Sequence, residues 1–112
     1  MVRELSFEFS LDVIDLYKYL MSEKKESVLS KQLLRSGTSI GANHWEAKNA
    51  ESPGDYIHKN PIAQKECVES IYWLELLRAS DYISETEFIE LNTKATSLLK
   101  IIKSIILTKN KI

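Results

Sequence analysis

The residues with the greatest potential for chemistry lie in one short segment, LLRSGTSIGANHWEA at positions 33–47. Its two glycines, Gly37 and Gly41, raise the question of a phosphate-binding loop. A P-loop ends in Gly-Lys-Ser or Gly-Lys-Thr, and no such lysine follows Gly41. A dinucleotide-binding loop requires a preceding strand, whereas residues 29–35 have a helical pattern. The segment is therefore predicted to be helical, and the four-residue spacing of its glycines favours close approach of another helix.

A histidine-based metal site is a second interpretation of this segment. If the chain forms a helical hairpin that turns near residues 51 and 52, His44 lies beside His58, and Glu46 adds a carboxylate of the kind that binds divalent metals. However, His44 and Glu46 are two residues apart on a helix and point to different sides. The His-x-Glu pattern of zinc deaminases also requires Pro-Cys-x-x-Cys, and Cys67 is the only cysteine. Metal binding through His44 and His58 stays an alternative, and the sequence predicts no cofactor.

Polar residues of the same segment recur at helical spacing and begin what we call the polar stripe. Their spacing of four, four and three residues places the side chains on one helix face. The hairpin register brings Arg35 within reach of Glu66 and Glu69 on the next helix, and buried polar groups need such partners. We expect the stripe to set helix register and to form an interface, with a binding groove as the alternative. Its members are Arg35, Ser39, Asn43 and Glu46 on one helix and Lys65, Glu66 and Glu69 on the next.

Neither catalysis nor membrane insertion is predicted. Cys67 falls on an apolar helical stripe, where a thiol is usually inert, and no serine-centred catalytic motif occurs. A single cysteine excludes an internal disulfide and a cysteine-based zinc ribbon, which favours a reducing cytoplasmic location. The N-terminus has no apolar signal-peptide core, and no apolar run reaches the roughly 18–20 residues of a membrane span. We expect a cytoplasmic protein that is not an enzyme and has no membrane partner.

Four helical patterns must position these residues. We predict helices over about 6–22, 28–50 and 53–82, and a fourth that opens with a capping box at 84–87. The first helix has apolar residues at spacings of four and three, which predicts a core-facing stripe of Phe7, Leu11, Ile14, Tyr17 and Met21 that Val13, Leu16 and Leu20 widen. The third has a stripe of Cys67, Ile71, Leu74 and Leu77, and the fourth a heptad-like seam of Phe88, Leu91, Ala95, Leu98, Ile102 and Ile105.

The third helix contains an interruption. Ser52 is predicted to cap its N-terminus, and Pro61 predicts a kink or short break, at which Asn60 could serve as a new N-cap. Short connections favour a single domain over residues 1–112. We therefore predict an all-α, antiparallel up-down-up-down four-helix bundle with the third helix kinked near Pro61. The fourth helix is apolar beyond one narrow stripe, which indicates deep burial or a subunit interface.

Charge is unevenly distributed along a chain whose net charge is only −1. Residues 66–90 contain seven acids and one base, whereas the chain from Lys94 onward contains five lysines and no acid. A basic helix could contact nucleic acid or an acidic partner, and a solvated helix face is the alternative. The lysines that would make nucleic-acid contact are Lys100, Lys103, Lys109 and Lys111.

Three blocks of the sequence resemble one known family. SFEFSLDVIDLYKYL, SKQLLRSGTSIGAN and HKNPIAQKECVESIYWLELL are similar to the 23S rRNA intervening-sequence protein family, with the densest similarity at residues 32–43. The resemblance implies a four-helix bundle that assembles as a homo-oligomeric ring, with pentamers known in the family. The family name records gene location and states no activity. The accessory protein of diversity-generating retroelements, a related branch, looks like a basic pentamer that binds a reverse transcriptase and nucleic acid.

The resemblance leads to two functional expectations. The first is a non-enzymatic structural or interaction protein that forms a homo-oligomer, with a pentamer as the candidate form and a further partner left unidentified. The alternative is an accessory protein that binds RNA, DNA or a nucleic-acid enzyme through its basic C-terminal helix. The chain differs from its relatives at His44 and Trp45, where they usually have an aliphatic residue after Gly-Ala-Asn, and at Asn60-Pro61. Hairpin pairing predicts that these two departures are neighbours that compensate one another or mark a locally altered site.

Overall fold

The computed structural model describes the backbone at residues 1–49 and 53–110, and the side chains at 1–49 and 59–108. It contains four helices: α1 (Val2–Ser22), α2 (Val28–Lys48), α3 (Pro53–Ala79) and α4 (Glu85–Asn110). In the described residues α1 and α3 each contact α2 and α4 but not one another, so they occupy opposite corners of the bundle. The predicted all-α four-helix bundle is confirmed.

Side-chain pairings give the relative direction of neighbouring helices. Along α2, Arg35 lies opposite Glu66 while Glu46 lies opposite Lys59, so residue numbers fall in α3 as they rise in α2. The same reversal relates α2 to α1, because Gly37 faces Val13 and Gly41 faces Ser6. Both pairs are therefore antiparallel. The helix α1 is also joined to α4 by an ion pair, with Lys94 Nζ 2.5 Å from Asp12 Oδ2.

The core is a continuous apolar cluster to which every helix contributes. Burial removes large aliphatic and aromatic side chains from water, which is the main favourable contribution to folding. On α3 the predicted stripe is confirmed at Cys67, Leu74 and Leu77, with Ile71 packed at its edge. On α4 the predicted seam is buried from Phe88 to Ile102. Ile105, the last residue of the seam, is only partly buried, as are three apolar residues beside the seam, Leu99, Ile101 and Ile106.

The predicted core face of α1 is confirmed at Val13, Leu16 and Leu20 but is wrong at Phe7 and Leu11. Phe7 is 64% exposed and Leu11 is 48% exposed. The buried side chains are instead Val2, Ser6, Phe9, Val13, Leu16 and Leu20. These residues also alternate at spacings of three and four, so α1 carries two apolar stripes, and the buried one contains a serine. Ser6 belongs there because its small side chain fits against Gly41 of α2.

Three of the helix ends have identifiable stops or caps. Before α2, the carboxylate of Glu26 accepts hydrogen bonds from the backbone N–H groups of Val28, Leu29 and Ser30 at 2.8–3.0 Å. After α3, Asp81 adopts a left-handed conformation with φ 64°, and the next N–H, of Tyr82, bonds back to Leu77 O, as in a Schellman stop. The predicted capping box of α4 is confirmed, and its two reciprocal bonds join Ser84 and Glu87 at 2.9 and 3.1 Å.

The helix α3 continues through Pro61, which is exposed. Asn60 is therefore not the cap of a new helix, as we predicted, but a buried residue inside α3. A buried amide needs a polar partner, and Asn60 finds one in His44 of α2. The predicted kink stays a prediction, and the predicted cap at Ser52 lies outside the described residues.

Candidate functional site

The centre of the polar stripe is an arginine held by two glutamates. Arg35 Nη1 lies 3.1 Å from Glu66 Oε2, and Nη2 contacts Glu69 Oε2. The indole N–H of Trp73 donates to the same Glu69 oxygen at 2.8 Å. Arg35 therefore reaches both glutamates that the hairpin register predicted. This fork joins α2 to α3 and fixes how the two helices are aligned along their axes.

The other polar residues of α2 do not extend this network toward α3. The Ser39 hydroxyl donates to Arg35 O at 2.6 Å, and the Asn43 amide donates to Ser39 O at 2.8 Å. Both side chains thus bond to the carbonyl four residues earlier in their own helix, a common alternative for these residue types. The spacing placed them correctly on one face, but local backbone carbonyls are closer than any group on α3.

The ends of the polar stripe differ from one another. Glu46 Oε1 lies 3.3 Å from Lys59 Nζ, which gives α2 and α3 a second ion pair. Lys65 is exposed, and in the part of the chain that the structure describes it has no ion-pair partner. The stripe therefore consists of two ionic links between α2 and α3, while Lys65 lies apart from them.

A buried contact that our sequence analysis did not identify reinforces this alignment. The hydroxyls of Ser36 and Ser70 are 2.9 Å apart between α2 and α3, and Ser70 Oγ is also 2.8 Å from Glu66 O. Both serines are fully buried. The sequence contained a sign of this contact, because Ser36 directly follows Arg35 and Ser70 directly follows Glu69. Small hydroxyl side chains let the helices approach closely while their polar atoms remain bonded.

His44 and Asn60 are neighbours, as the hairpin register predicted. Both side chains are buried, at 3% and 2% exposure, and they face one another between α2 and α3. Burial lowers the pKa of His44, the positive charges of Lys48 and the N-terminus lower it further, and the bond to Asn60 opposes them. His44 Nδ1 is buried without a hydrogen-bond partner among the described residues. We therefore expect a neutral imidazole in the folded protein at neutral pH.

Two further kinds of group could take part in chemistry: side chains that bind metals and the thiol of Cys67. Among the described residues no three His, Cys, Asp or Glu side chains lie close enough to hold a metal ion, and the His58 side chain lies outside that set. Cys67 donates to Ala95 O at 3.1 Å, and burial raises the pKa of its thiol to about 12. A thiol with that pKa is almost wholly protonated at neutral pH and is a poor nucleophile.

The basic part of α4 presents lysines to solvent. Lys100 and Lys103 are both exposed and lie about one helical turn apart. Across the described side chains from Lys94 to Thr108, α4 contains no acid to neutralise them. The side chains of Lys109 and Lys111 lie outside the described residues. None of the helices in the described chain combines the length and hydrophobicity that a membrane span requires.

Among the described residues, exposed apolar side chains are grouped on several faces, and the sequence analysis missed two of these surfaces. The first, which we call the α1/α2 groove, has Phe7 and Trp45 as walls and Ser6 and Gly41 at its base. Trp45 is 54% exposed, and the guanidinium of Arg3 lies 4.4 Å from the centre of its ring system. The groove went unrecognised because we assigned Phe7 to the core.

The second surface, which we call the α3 ridge, consists of Val68 and Tyr72. These side chains are 50% and 56% exposed and lie one turn apart on the outward face of α3. The Tyr72 ring packs edge-on against Trp73 with ring centres 5.2 Å apart, which orients the phenol. The ridge therefore presents two neighbouring apolar knobs of defined orientation to the solvent.

Comparisons with known proteins cover nearly the whole chain. A family model described as 23S rRNA-intervening sequence protein matches residues 1–104, which include α1, α2, α3 and most of α4. Among solved structures, a protein of unknown function from the S23 ribosomal protein family of Bacteroides thetaiotaomicron VPI-5482 is 48% identical to this chain, with a TM-score of 0.93. That similarity covers 95% of this chain and 98% of the other. No curated protein gives a significant match.

Proposed function

Because the chain belongs to the 23S rRNA-intervening sequence protein family, we propose that it is a non-catalytic interaction protein that assembles with copies of itself. The observation that supports this most directly is the grouping of exposed apolar side chains into the α1/α2 groove and the α3 ridge. Single exposed apolar residues are normal, whereas grouped ones are typical of interaction sites. A chain of 112 residues also gains stability from the extra burial that assembly provides.

The remaining chemistry of the described residues is consistent with this proposal. Arg35 is held in ion pairs with Glu66 and Glu69, and His44 is buried beside Asn60. These groups align helices and have little freedom to act on a substrate. The polar stripe then supports assembly indirectly, because it holds α2 and α3 in a fixed relation and so gives the outer surfaces a constant shape.

Light scattering of the purified chain over a range of concentrations tests the proposal. We expect a mass several times the 12.9 kDa of one chain, and five times that value for the pentamer that the family resemblance implies. A mass of one chain at every concentration would overturn the proposal. A stable oligomer with another copy number would retain self-assembly and reject the pentamer.

A second candidate function is nucleic-acid binding through α4. The exposed pair of Lys100 and Lys103, with no acid nearby on the described part of α4, supports this candidate. An oligomer would repeat the basic surface in every copy, although the net charge of −1 per chain works against it. Binding that depends on phosphate neutralisation weakens steeply as salt rises.

A gel shift with short duplex RNA and duplex DNA, titrated with salt, tests this candidate. We expect binding at low salt, and a double variant with Lys100→Gln and Lys103→Gln should reduce the logarithmic salt slope by about 1 for each phosphate that is no longer neutralised. Lys24→Gln, an exposed lysine in the loop between α1 and α2, is the matched control. Absence of binding at low salt would exclude the candidate.

A further inference from the structure

We propose that the α1/α2 groove of one copy receives the α3 ridge of a second copy, an inference that rests on the proposed self-assembly. The groove is lined by Phe7 and Trp45, by small residues that include Ser6 and Gly41, and by the charged residues Arg3, Glu4 and Glu8. The absence of a side chain at Gly41 keeps the base low. An incoming side chain can therefore be enclosed between two aromatic walls.

The α3 ridge has the size and spacing to occupy this groove. Val68 and Tyr72 are at positions i and i+4 of a helix, so they lie on one face at adjacent turns. A helix that presents apolar anchors at this spacing is the usual occupant of a groove between helices. Large aromatic side chains such as those of Tyr72 and Trp45 are also the residues that dominate binding energy at interfaces.

Charges beside the two surfaces are complementary. Glu8 borders the groove next to Phe7, and Lys65 borders the ridge three residues before Val68. Within the described residues neither side chain lies within ion-pair distance of an opposite charge, although Glu8 is near enough to Lys94 of α4 to raise the pKa of that lysine. Docking of the ridge in the groove brings a negative side chain near a positive one, which favours this pairing over contact of either surface with itself.

The placement of the two surfaces determines the type of assembly. The groove is on the side of α1 and α2, whereas the ridge is on the outer face of α3, and α1 and α3 occupy opposite corners of the described bundle. A contact between different surfaces of identical chains is heterologous, so each copy uses its groove for one neighbour and its ridge for another. Such contacts build closed rings or open filaments.

The groove and the ridge lie at different heights along the bundle axis. Contact between Ser36 and Ser70 places the ridge level with residue 36 of α2, while Ser6 and Gly41 place the groove several residues further along. For five residues at 1.5 Å per residue the offset is about 7.5 Å. Parallel bundles joined in this way are stepped along their axes and build a filament, so in a closed ring the bundle axes are inclined to the ring axis.

A mixing experiment with two full-length variants tests the pairing. Phe7→Glu places a charge in the groove, and Tyr72→Glu places one on the ridge, at positions that are mostly exposed and so tolerate the change in a single chain. We expect each variant alone to have the mass of one chain under conditions in which the native protein is assembled. The mixture should form a complex of two chains and nothing larger, because only one intact groove and one intact ridge remain.

The outcomes separate this inference from the proposed function. If the native protein is assembled and either variant retains the native mass, the pairing is wrong while self-assembly stands. If the native protein is a monomer, the proposed function itself is wrong. Val28→Glu, at an exposed apolar position outside both surfaces, is the control and should retain the native mass. Circular dichroism establishes that each variant is helical.

Charge reversal provides a second test that does not depend on those variants folding. Glu8 and Lys65 are exposed, so Glu8→Lys and Lys65→Glu leave the core unchanged. Each reversal alone should raise the dissociation constant of the assembly by about two- to fivefold, as expected for a surface charge pair. The double variant should restore the native value. If single reversals have no effect, or the double variant is as weak as the singles, the pairing is wrong.

Discussion

His44 and Asn60 form a buried polar pair between α2 and α3. A buried polar group that loses its partner retains the full cost of its removal from water, whereas loss of both partners can be nearly neutral. The two residues are therefore best interpreted as one polar unit in the core rather than as two independent ones.

This interpretation predicts strong coupling between substitutions at the two positions. His44→Leu and Asn60→Leu should each lower the free energy of unfolding by about 1–3 kcal/mol, because each removes the polar neighbour of a buried polar side chain. The double variant should lie close to the native protein. Urea unfolding measures all three values. Asn43→Leu, at a half-exposed amide that bonds its own helix, is the control and should combine additively with Asn60→Leu. Additivity between positions 44 and 60 would contradict the interpretation.

The buried imidazole also predicts how stability responds to pH. Burial, followed by the charges of Lys48 and the N-terminus, lowers the pKa of His44 below its unfolded value of about 6.5. The unfolded chain therefore binds more protons near pH 6, so the free energy of unfolding should fall as pH drops below about 6.5. In the double variant at positions 44 and 60, the free energy of unfolding should no longer fall in this pH range because of His44. Any contribution of His58 is the same in the native protein and in the double variant. An unchanged pH profile would show that His44 does not cause it.

At the scale of the helices, a glutamate replaces the usual serine or aspartate as the cap of α2. Ser27 is in the N-cap position but makes no side-chain cap bond, and the Glu26 carboxylate takes three backbone N–H groups instead. Burial raises the pKa of Glu26, but these backbone bonds outweigh it, and the net pKa is lowered. The helix therefore begins on a buried carboxylate that is stabilised in its ionised form.

Removal of this cap charge has a predictable effect. Glu26→Gln should lower the free energy of unfolding at neutral pH by about 0.5–2 kcal/mol, as for other cap losses. Because the folded pKa is lowered, the native contribution is present above the ordinary glutamate pKa of about 4.5 and is lost as pH falls below it. Thermal unfolding at neutral pH and near pH 3 should thus show a smaller difference between the two proteins in acid. Glu23→Gln, at an exposed residue after α1, is the control. An equal difference at both pH values would contradict the account.

Sequence periodicity predicted the helices well but resolved their faces unevenly. The faces of α3 and α4 were predictable because each has one dominant apolar stripe, as Leu74 and Leu98 illustrate. In α1 two stripes compete, and the buried one contains Ser6, whose place depends on Gly41 in another helix. Periodicity within one helix contains no information about such contacts. The error at Phe7 therefore concealed the α1/α2 groove.

The ionic part of the candidate site was predictable for a different reason. A helical hairpin has nearly constant register, so the position of one turn was enough to bring Arg35 to Glu66 and Glu69. The same arithmetic brought His44 to Asn60. It could not show that Ser39 and Asn43 bond to their own helix, because that choice depends on the distance to the backbone carbonyl four residues earlier. Register predicts which residues are neighbours, and local geometry decides which of them bond.

At the scale of the whole molecule, polar contacts join the helices within one copy, while apolar side chains remain exposed on other faces of the bundle. Ion pairs and buried hydroxyls join α2 to α3, and the Asp12–Lys94 pair joins α1 to α4. These links determine the alignment of the helices within one copy. The groove beside α1 and the ridge on α3 are left exposed at different heights of a molecule 48 Å long. The proposed self-association would remove both from water.

Coupling of assembly to folding makes thermal stability depend on protein concentration. If the folded chain associates and the unfolded chain does not, mass action stabilises the folded state as concentration rises. A tenfold rise corresponds to at most about 1.4 kcal/mol per chain, and 1 kcal/mol shifts the Tm of a domain of this size by roughly 4 °C. The native Tm, measured by calorimetry over two decades of concentration, should therefore rise by several degrees per decade. Phe7→Glu should show a constant Tm, and Val28→Glu should behave as the native chain does. A native Tm that does not change with concentration would contradict self-assembly, because a folded monomer has no association equilibrium to shift.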